Sequence, residues 1–136
     1  PLASLLLGDV LARDGHADAA ESVFGQLALF PSHGLGGRTT EALQVVTPTL
    51  TASARFDVQY SWELATGYAL IGRPDEALNW LENAVRHGLI HYPFLAQHDP
   101  LLGNLRQESR FRTLIEAVRF QSDRFESVVY ASLAAT

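Results

Sequence analysis

The sequence contains no cysteine, no long apolar run and no block of like charges. Without cysteine the chain can form neither a disulfide framework nor a thiol nucleophile. No apolar stretch approaches the roughly 20 residues of a membrane-spanning helix, so we expect no membrane partner. The net charge is −5 and the arginines form no basic block, which argues against nucleic acid as a partner.

The first residues also lack the basic start and the cleavage pattern of a secretion signal, so a cytoplasmic location is expected. There is no initiating methionine, and a helical pattern begins directly after Pro1, which suggests a piece of a longer protein. What the chain does have is 47% hydrophobic residues over 136 positions. That content is enough for one domain that buries roughly two-thirds of the surface of the unfolded chain.

The stretch from residue 62 to residue 85 predicts two antiparallel helices joined by a tight turn. The apolar residues of the first helix fall at spacings of four and three and share one face: Leu64, Tyr68 and Ile71. Gly72 ends this helix, since glycine adopts a left-handed C-cap without steric cost. Pro74 then opens the second helix with its φ already set, and Gly88 ends it.

This hairpin resembles a tetratricopeptide repeat. The matching residues follow the family's ladder of small, aromatic and glycine positions: Leu64, Ala65, Tyr68, Gly72, Ala77, Leu81 and Ala84. A weaker ladder lies near the start of the chain: Leu7, Gly8, Leu11, Gly15, Ala20, Phe24 and Leu27, with Pro31 as a closing proline. One such hairpin cannot bury its own apolar face, so the resemblance implies stacked hairpins in an all-α superhelix.

The two ladders are farther apart than the repeat period of about 34 residues, which indicates an insertion between them. We predict one helical domain over residues 1–136, with hairpins at about 2–30 and 57–87. An inserted helical segment is expected at about 38–56, after a glycine-rich loop over 32–37 and before a break close to Phe56. Thr47 and Pro48 read as an N-cap and a first helical residue inside that insertion.

A capping region is expected at about 92–130. It begins with a connector over 89–94, followed by a short helix that Asp99 and Pro100 open. A longer helix runs from Glu108 to Phe120, with apolar spacing that allows it to reach Val129, and a frayed tail is expected over 131–136.

The region from Gly72 to Phe125 carries a second, more specific resemblance. It is similar to the last tetratricopeptide segment of large bacterial signalling proteins, in which a Ser/Thr kinase, a nucleotide cyclase or a DNA-binding regulator is joined to a repeat array. The matching residues are Asp75-Glu76-Ala77-Leu78, Trp80-Leu81-Glu82, Ala84-Val85, Gly88, Tyr92-Pro93-Phe94-Leu95, Asp99-Pro100, Leu105-Arg106, Arg110-Phe111 and Arg124-Phe125-Glu126. The resemblance implies a non-catalytic terminal module with an effector domain upstream.

No pattern in the sequence assembles a catalytic or cofactor site. His87 and His91 have the spacing of two metal ligands on a helix, but Gly88 interrupts that helix and no acidic ligand follows. The glycines at 34, 36 and 37 lack the preceding strand that a phosphate-binding loop requires. We therefore predict no catalytic residue, no metal and no cofactor. An enzyme or metal protein built on His87, His91 and His98 is the alternative from another class.

The predicted function is protein–protein interaction, with a protein or peptide partner in the concave groove of the stacked hairpins. The candidate groove residues lie on the first helix of each hairpin: Leu5, Asp9, Ala12, Gln59, Trp62, Thr66 and Ala69. Trp62 could equally pack against the inserted segment near Phe56. The aromatic side chains of Trp80, Tyr92 and Phe94 could anchor a peptide or hold the capping region. A set of three arginines, Arg106, Arg110 and Arg112, could bind an acidic ligand, or Arg106 could pair with Asp99 or with a helix end.

The alternative interaction is self-association into a homo-oligomer. The end of the chain carries the apolar run Val128-Val129-Tyr130, and the open ends of a repeat array tend to bury themselves on neighbours.

Overall fold

The computed structural model describes residues 26–135, and every regular element in that range is helical. The α-helices are α1 (Gln26–Leu35), α2 (Thr39–Val45), α3 (Pro48–Ala54), α4 (Val58–Leu70), α5 (Pro74–Arg86) and α6 (Ser109–Ala134). A π-helical turn (Phe94–His98) and a 3-10 helix (Pro100–Leu105) connect α5 to α6. The predicted all-α class is confirmed for these residues, whereas the ladder positions from Leu7 to Phe24 lie outside them.

Helices α4 and α5 form the central hairpin. Gly72 takes a φ of 75° after α4, and the amide of Arg73 donates to the Tyr68 carbonyl oxygen at 2.9 Å. This pattern closes the end of the helix through a left-handed residue, which glycine adopts without strain. Pro74 follows as the first residue of α5, and Asp75 and Glu76 occupy its first turn. The predicted ends of both helices are therefore confirmed.

Helix α1 crosses α4 where two glycines allow close approach. A Cβ atom on Gly34 would lie 2.9 Å from the Cβ of Leu70, and one on Gly67 would lie 2.3 Å from the ring of Phe30. The ring of Phe30 is fully buried and meets Tyr68 edge-on, with centroids 4.9 Å apart. These contacts fix the depth at which the two helices pack.

The prediction of a loop over residues 32–37 is wrong for most of that range. Helix α1 continues through Pro31 to Leu35, and only Gly36 and Gly37 form the turn. Proline removes one helical hydrogen bond and normally stops a helix. Here Gly34 lies in the turn after the proline and contacts α4, so this glycine serves helix packing.

The insertion folds as two short helices that brace the hairpin. Thr47 caps α3, since its hydroxyl accepts a hydrogen bond from the Leu50 amide at 3.1 Å. Helix α3 ends at Ala54, whose carbonyl oxygen accepts a hydrogen bond from the Ser61 hydroxyl at 2.6 Å. The Asn83 amide in turn donates to the Ser61 hydroxyl at 2.8 Å, which links α3, α4 and α5. The predicted N-cap and the predicted break near Phe56 are both confirmed.

Within residues 26–135, buried side chains form two core clusters. The larger one joins α4, α5, the connecting segment and the start of α6: Ala65, Ala69, Ala77, Leu78, Leu81, Val85, Leu95, Leu102, Leu105, Phe111, Ile115 and Val118. The smaller one joins α1, α2, α3 and α4: Phe30, Ala42, Ala54 and Leu64. Tyr68 and Trp80 pack against both clusters, so the hairpin carries the connection between them.

Tyr68 gives the fold a testable dependence on alkaline pH. Burial raises the pKa of its phenol, and the nearby Glu76 carboxylate raises it further, while Arg73 opposes the shift. The folded state therefore keeps the phenol neutral to a higher pH than the unfolded chain does, so stability falls as the pH rises past the usual value of about 10. We expect the free energy of unfolding to fall less between pH 9 and pH 11 in Tyr68→Phe than in the wild type. Urea titrations at three pH values measure this difference, and parallel curves would contradict it.

Candidate functional site

The predicted groove residues of the central hairpin are not equally accessible. Gln59 and Trp62 are half-buried, whereas Thr66 and Ala69 are buried, with 0% and 1% of their surface exposed. The remaining groove candidates, Leu5, Asp9 and Ala12, lie outside the described residues. Thr66 and Ala69 therefore present no surface to a partner in this structure, and the groove itself stays a prediction.

The side of α4 that carries Trp62 is partly covered by the chain's own connection between α5 and α6. We call residues 94–105 the covering segment. The indole Nε1 of Trp62 donates to Asp99 Oδ2 at 3.0 Å, and its ring lies 6.1 Å from that of Phe94. Further along α4, the side-chain amide of Asn104 donates to the Ala69 carbonyl oxygen at 3.4 Å. Trp62 thus packs on the covering segment, which the sequence did not indicate, and its place in a partner-binding groove stays a prediction.

The covering segment is held in shape by charged groups. Asp99 is fully buried, and its other carboxylate oxygen accepts the Leu101 amide at 2.9 Å, which caps the 3-10 helix. Arg106 closes the segment from the other end, donating to the Asp99 carbonyl oxygen at 2.7 Å and to the Ala96 carbonyl oxygen at 3.1 Å. The predicted structural role of Arg106 is confirmed, because its guanidinium binds backbone oxygens at this helix end.

A second candidate surface lies on α6, which is far longer than the core it covers. Phe111, Ile115 and Val118 in its first half are buried. In its second half Ser122, Phe125 and Val129 continue the same spacing of four and three residues, and so lie on the same side of the helix. We call these three residues the α6 seam.

The α6 seam is open to solvent in the described part of the chain. Phe125 is 58% exposed and Val129 is 37% exposed. Val128 and Tyr130 beside them are exposed as well, whereas charged residues such as Asp123 and Arg124 occupy the other sides of the helix. Exposed apolar side chains gathered on one side of a helix make that side a candidate binding surface.

Sequence reasoning found this surface only in part. It identified the apolar run over 128–130 and allowed the helix to reach Val129, but it expected a frayed tail beyond residue 131. The helix in fact continues to Ala134. The signal that defines the seam was present in the sequence, because apolar residues keep the four-and-three spacing from Phe111 to Val129 at every position except Ser122.

Two of the clefts in the described part of the chain lie beside α6. One, of about 320 Å³, is lined by Ala96, Arg106, Phe111, Arg112, Ile115 and Glu116. The other, of about 330 Å³, is lined by Glu82, Ser109, Arg110, Thr113, Leu114 and Ala117. At the second cleft Arg110 donates to Asn79 and Glu82, at 2.9 Å in each case, and thereby ties α6 to α5.

The histidines of the alternative metal site do not form a cluster. His87, His91 and His98 are all exposed, and Gly88 takes a φ of 111° between the first two. The Nδ1 atom of His87 lies 2.8 Å from the Asn83 carbonyl oxygen of its own helix. Among the described residues no group of three His, Cys, Asp or Glu side chains is arranged to hold a metal ion.

Comparison of the chain with family models, with curated proteins and with solved structures finds no match. Among the helices that the structure describes, none is both long enough and apolar enough to cross a membrane.

Proposed function

We propose that this chain is a non-catalytic protein-interaction module built on a hairpin of the tetratricopeptide type. The observation that carries the interaction role is the exposed α6 seam, with Phe125 and Val129 uncovered on the side of the helix that buries Phe111, Ile115 and Val118 nearer its start. Exposed apolar faces of this kind mark sites of protein association.

The hairpin supports the likeness to a tetratricopeptide repeat. The ladder residues Ala65, Ala77, Leu81 and Ala84 are all fully buried between packed helices. Gly72 takes the left-handed conformation at the turn between α4 and α5. In a repeat of this type small residues allow the helices to approach closely, and neighbouring units bury one another's apolar faces.

The setting we propose is a sensor or adaptor arm of a larger bacterial regulatory protein. Its basis is the sequence resemblance over Gly72 to Phe125. In such an arrangement the module would bind a protein partner and leave the chemistry to another domain. We propose neither a metal nor a cofactor for it.

Selection from a displayed library of random 16-residue peptides tests the interaction role. We expect the purified chain to enrich amphipathic peptides, because an apolar stripe flanked by charge fits the α6 seam. Calorimetry with an enriched peptide should show an affinity loss of about tenfold or more for Phe125→Asp, since an apolar anchor at the centre of an interface commonly contributes at least that much.

Phe120→Asp is the matched control for that measurement. Phe120 is 68% exposed on the opposite side of α6 from the seam, so its replacement introduces the same charge without touching the surface. Enrichment of no peptide above background, or equal effects of the two substitutions, would contradict the proposal.

A further inference from the structure

We propose that the cleft between the covering segment and α6 binds a free α-amino acid with an apolar side chain. This cleft, which we call the Arg112 cleft, has a volume of about 320 Å³. Its walls are Ala96 and Arg106 on one side and Phe111, Arg112, Ile115 and Glu116 of α6 on the other. The inference does not use the α6 seam, so it goes beyond the proposed interaction role and is tested separately from it.

Two opposite charges of α6 reach the cleft without being paired. Arg112 and Glu116 are four residues apart, and both are exposed. Side chains at this spacing are neighbours on a helix and commonly form an ion pair. Within the described part of the chain, however, neither forms an ion pair with the other or with any further residue. Both are therefore available to a ligand that carries the two opposite charges close together.

A second arginine gives the cleft a positive charge that is held in place. Arg106 donates from Nε to the Ala96 carbonyl oxygen at 3.1 Å and from Nη2 to the Asp99 carbonyl oxygen at 2.7 Å. Two arginines and one glutamate thus line the cleft, in a chain whose net charge is −5. A carboxylate is the ligand group that this excess favours, because the guanidinium fork of an arginine such as Arg112 matches its two oxygens.

The remaining lining of the cleft is apolar. Phe111 and Ile115 are 3% and 7% exposed and belong to the larger core cluster, so this part of the wall is fixed by packing. Ala96 is half-buried and adds a methyl group from the covering segment. An apolar group of the ligand would lose contact with water on this wall, which favours binding in proportion to the area covered.

An α-amino acid matches these three features at once. Its carboxylate, its ammonium group and its side chain are attached to one carbon atom, which suits charges that lie one helical turn apart beside an apolar wall. A peptide terminus offers only one of the two charges, and a fatty acid has no ammonium group. The volume of about 320 Å³ also lies at the lower end of small-molecule sites, which span roughly 300–1,000 Å³. Because exposed ion pairs contribute little and the ligand is small, we expect a dissociation constant on the order of 1 mM.

Titration of the ¹⁵N-labelled chain with L-leucine, followed by NMR, tests the site. The amide signals of Ala96 and Ile115 should shift and saturate by a leucine concentration of about 50 mM, given the expected affinity. Three analogues should bind at least about tenfold more weakly, since each lacks one matching group: glycine the apolar side chain, L-leucinol the carboxylate and N-acetyl-L-leucine the ammonium group. No saturable shift, or equal binding of leucine and leucinol, would overturn the proposal.

Substitutions in the cleft assign the two charges. Arg112→Gln should weaken leucine binding at least about tenfold through loss of the charged fork. Arg124→Gln is the matched control, because Arg124 is exposed on the same helix about 18 Å further along and should leave binding unchanged. Glu116→Gln should remove the preference for leucine over N-acetyl-L-leucine. Equal effects of the two arginine changes, or a preference that survives Glu116→Gln, would also overturn the proposal.

These results separate the amino-acid site from the interaction role. A chain that binds leucine in the Arg112 cleft and enriches no peptide would keep this site and lose the proposed function. A chain that enriches peptides through Phe125 and does not bind leucine would keep the proposed function and lose only the site.

Discussion

Replacing Gly67 by alanine should lower the free energy of unfolding by about 2 kcal/mol. The added Cβ would lie 2.3, 2.5 and 2.7 Å from three ring atoms of Phe30, and atoms of this kind essentially never approach within 3.0 Å. The ring is fully buried, so it cannot swing into solvent. Overpacking costs about 1–3 kcal/mol, and three contacts this short place Gly67→Ala at the upper end, at about 3 kcal/mol. The better helix propensity of alanine returns about 1 kcal/mol of that cost.

A double substitution and a matched control make this measurement specific. Phe30→Leu removes the ring that the new methyl group meets, so Gly67→Ala should cost much less in that background than in the wild type. Gly103→Ala is the control, because a Cβ there would meet nothing closer than the Arg106 guanidinium at 3.6 Å. Urea denaturation followed by circular dichroism gives all four stabilities. Equal losses at Gly67 and Gly103 would show that α1 does not pack on α4 at this crossing.

The contrast between these glycines shows which parts of the fold the sequence could specify. Gly72 and Gly88 end helices, and both positions were predictable because their effect is local: each takes a positive φ after a helical stripe. Gly34 looked like part of a loop for the same reason. Its actual role depends on Leu70, which is far along the chain and only becomes its neighbour once α1 has crossed α4.

The candidate site shows the same division between local and distant effects. The seam on α6 follows from spacing within one helix, so it could be read from the sequence as far as Val129. The burial of Thr66 and Ala69 could not, because periodicity indicates which residues share a side of a helix and says nothing about what covers that side. The partner of Trp62 lies 37 residues away, on a segment whose π-helical and 3-10 turns carry no regular apolar period.

The second large loss of stability is expected where the covering segment is attached to α4. Asp99→Ala should lower the free energy of unfolding by about 3 kcal/mol, since it removes the acceptor of two hydrogen bonds and a charge-assisted bond contributes about 1.5–3 kcal/mol. The Trp62 indole and the Leu101 amide would both lose their carboxylate partner. Asp99→Asn should cost about half as much, because its single carbonyl oxygen can still accept one of the two bonds.

A double-mutant cycle separates the link to α4 from the cap on the 3-10 helix. Trp62→Phe keeps an aromatic ring against Phe94 but removes the Nε1 donor, so it should cost about 1–2 kcal/mol in the wild type and much less in the Asp99→Ala background. The cap is unaffected by the tryptophan change, so any coupling between the two substitutions measures the bond that joins the covering segment to α4. Losses that simply add would mean that Asp99 acts only within its own segment. The partial cover over the predicted groove would then depend on the burial of Leu95, Leu102 and Leu105 and on the bond from Asn104 to the Ala69 carbonyl oxygen.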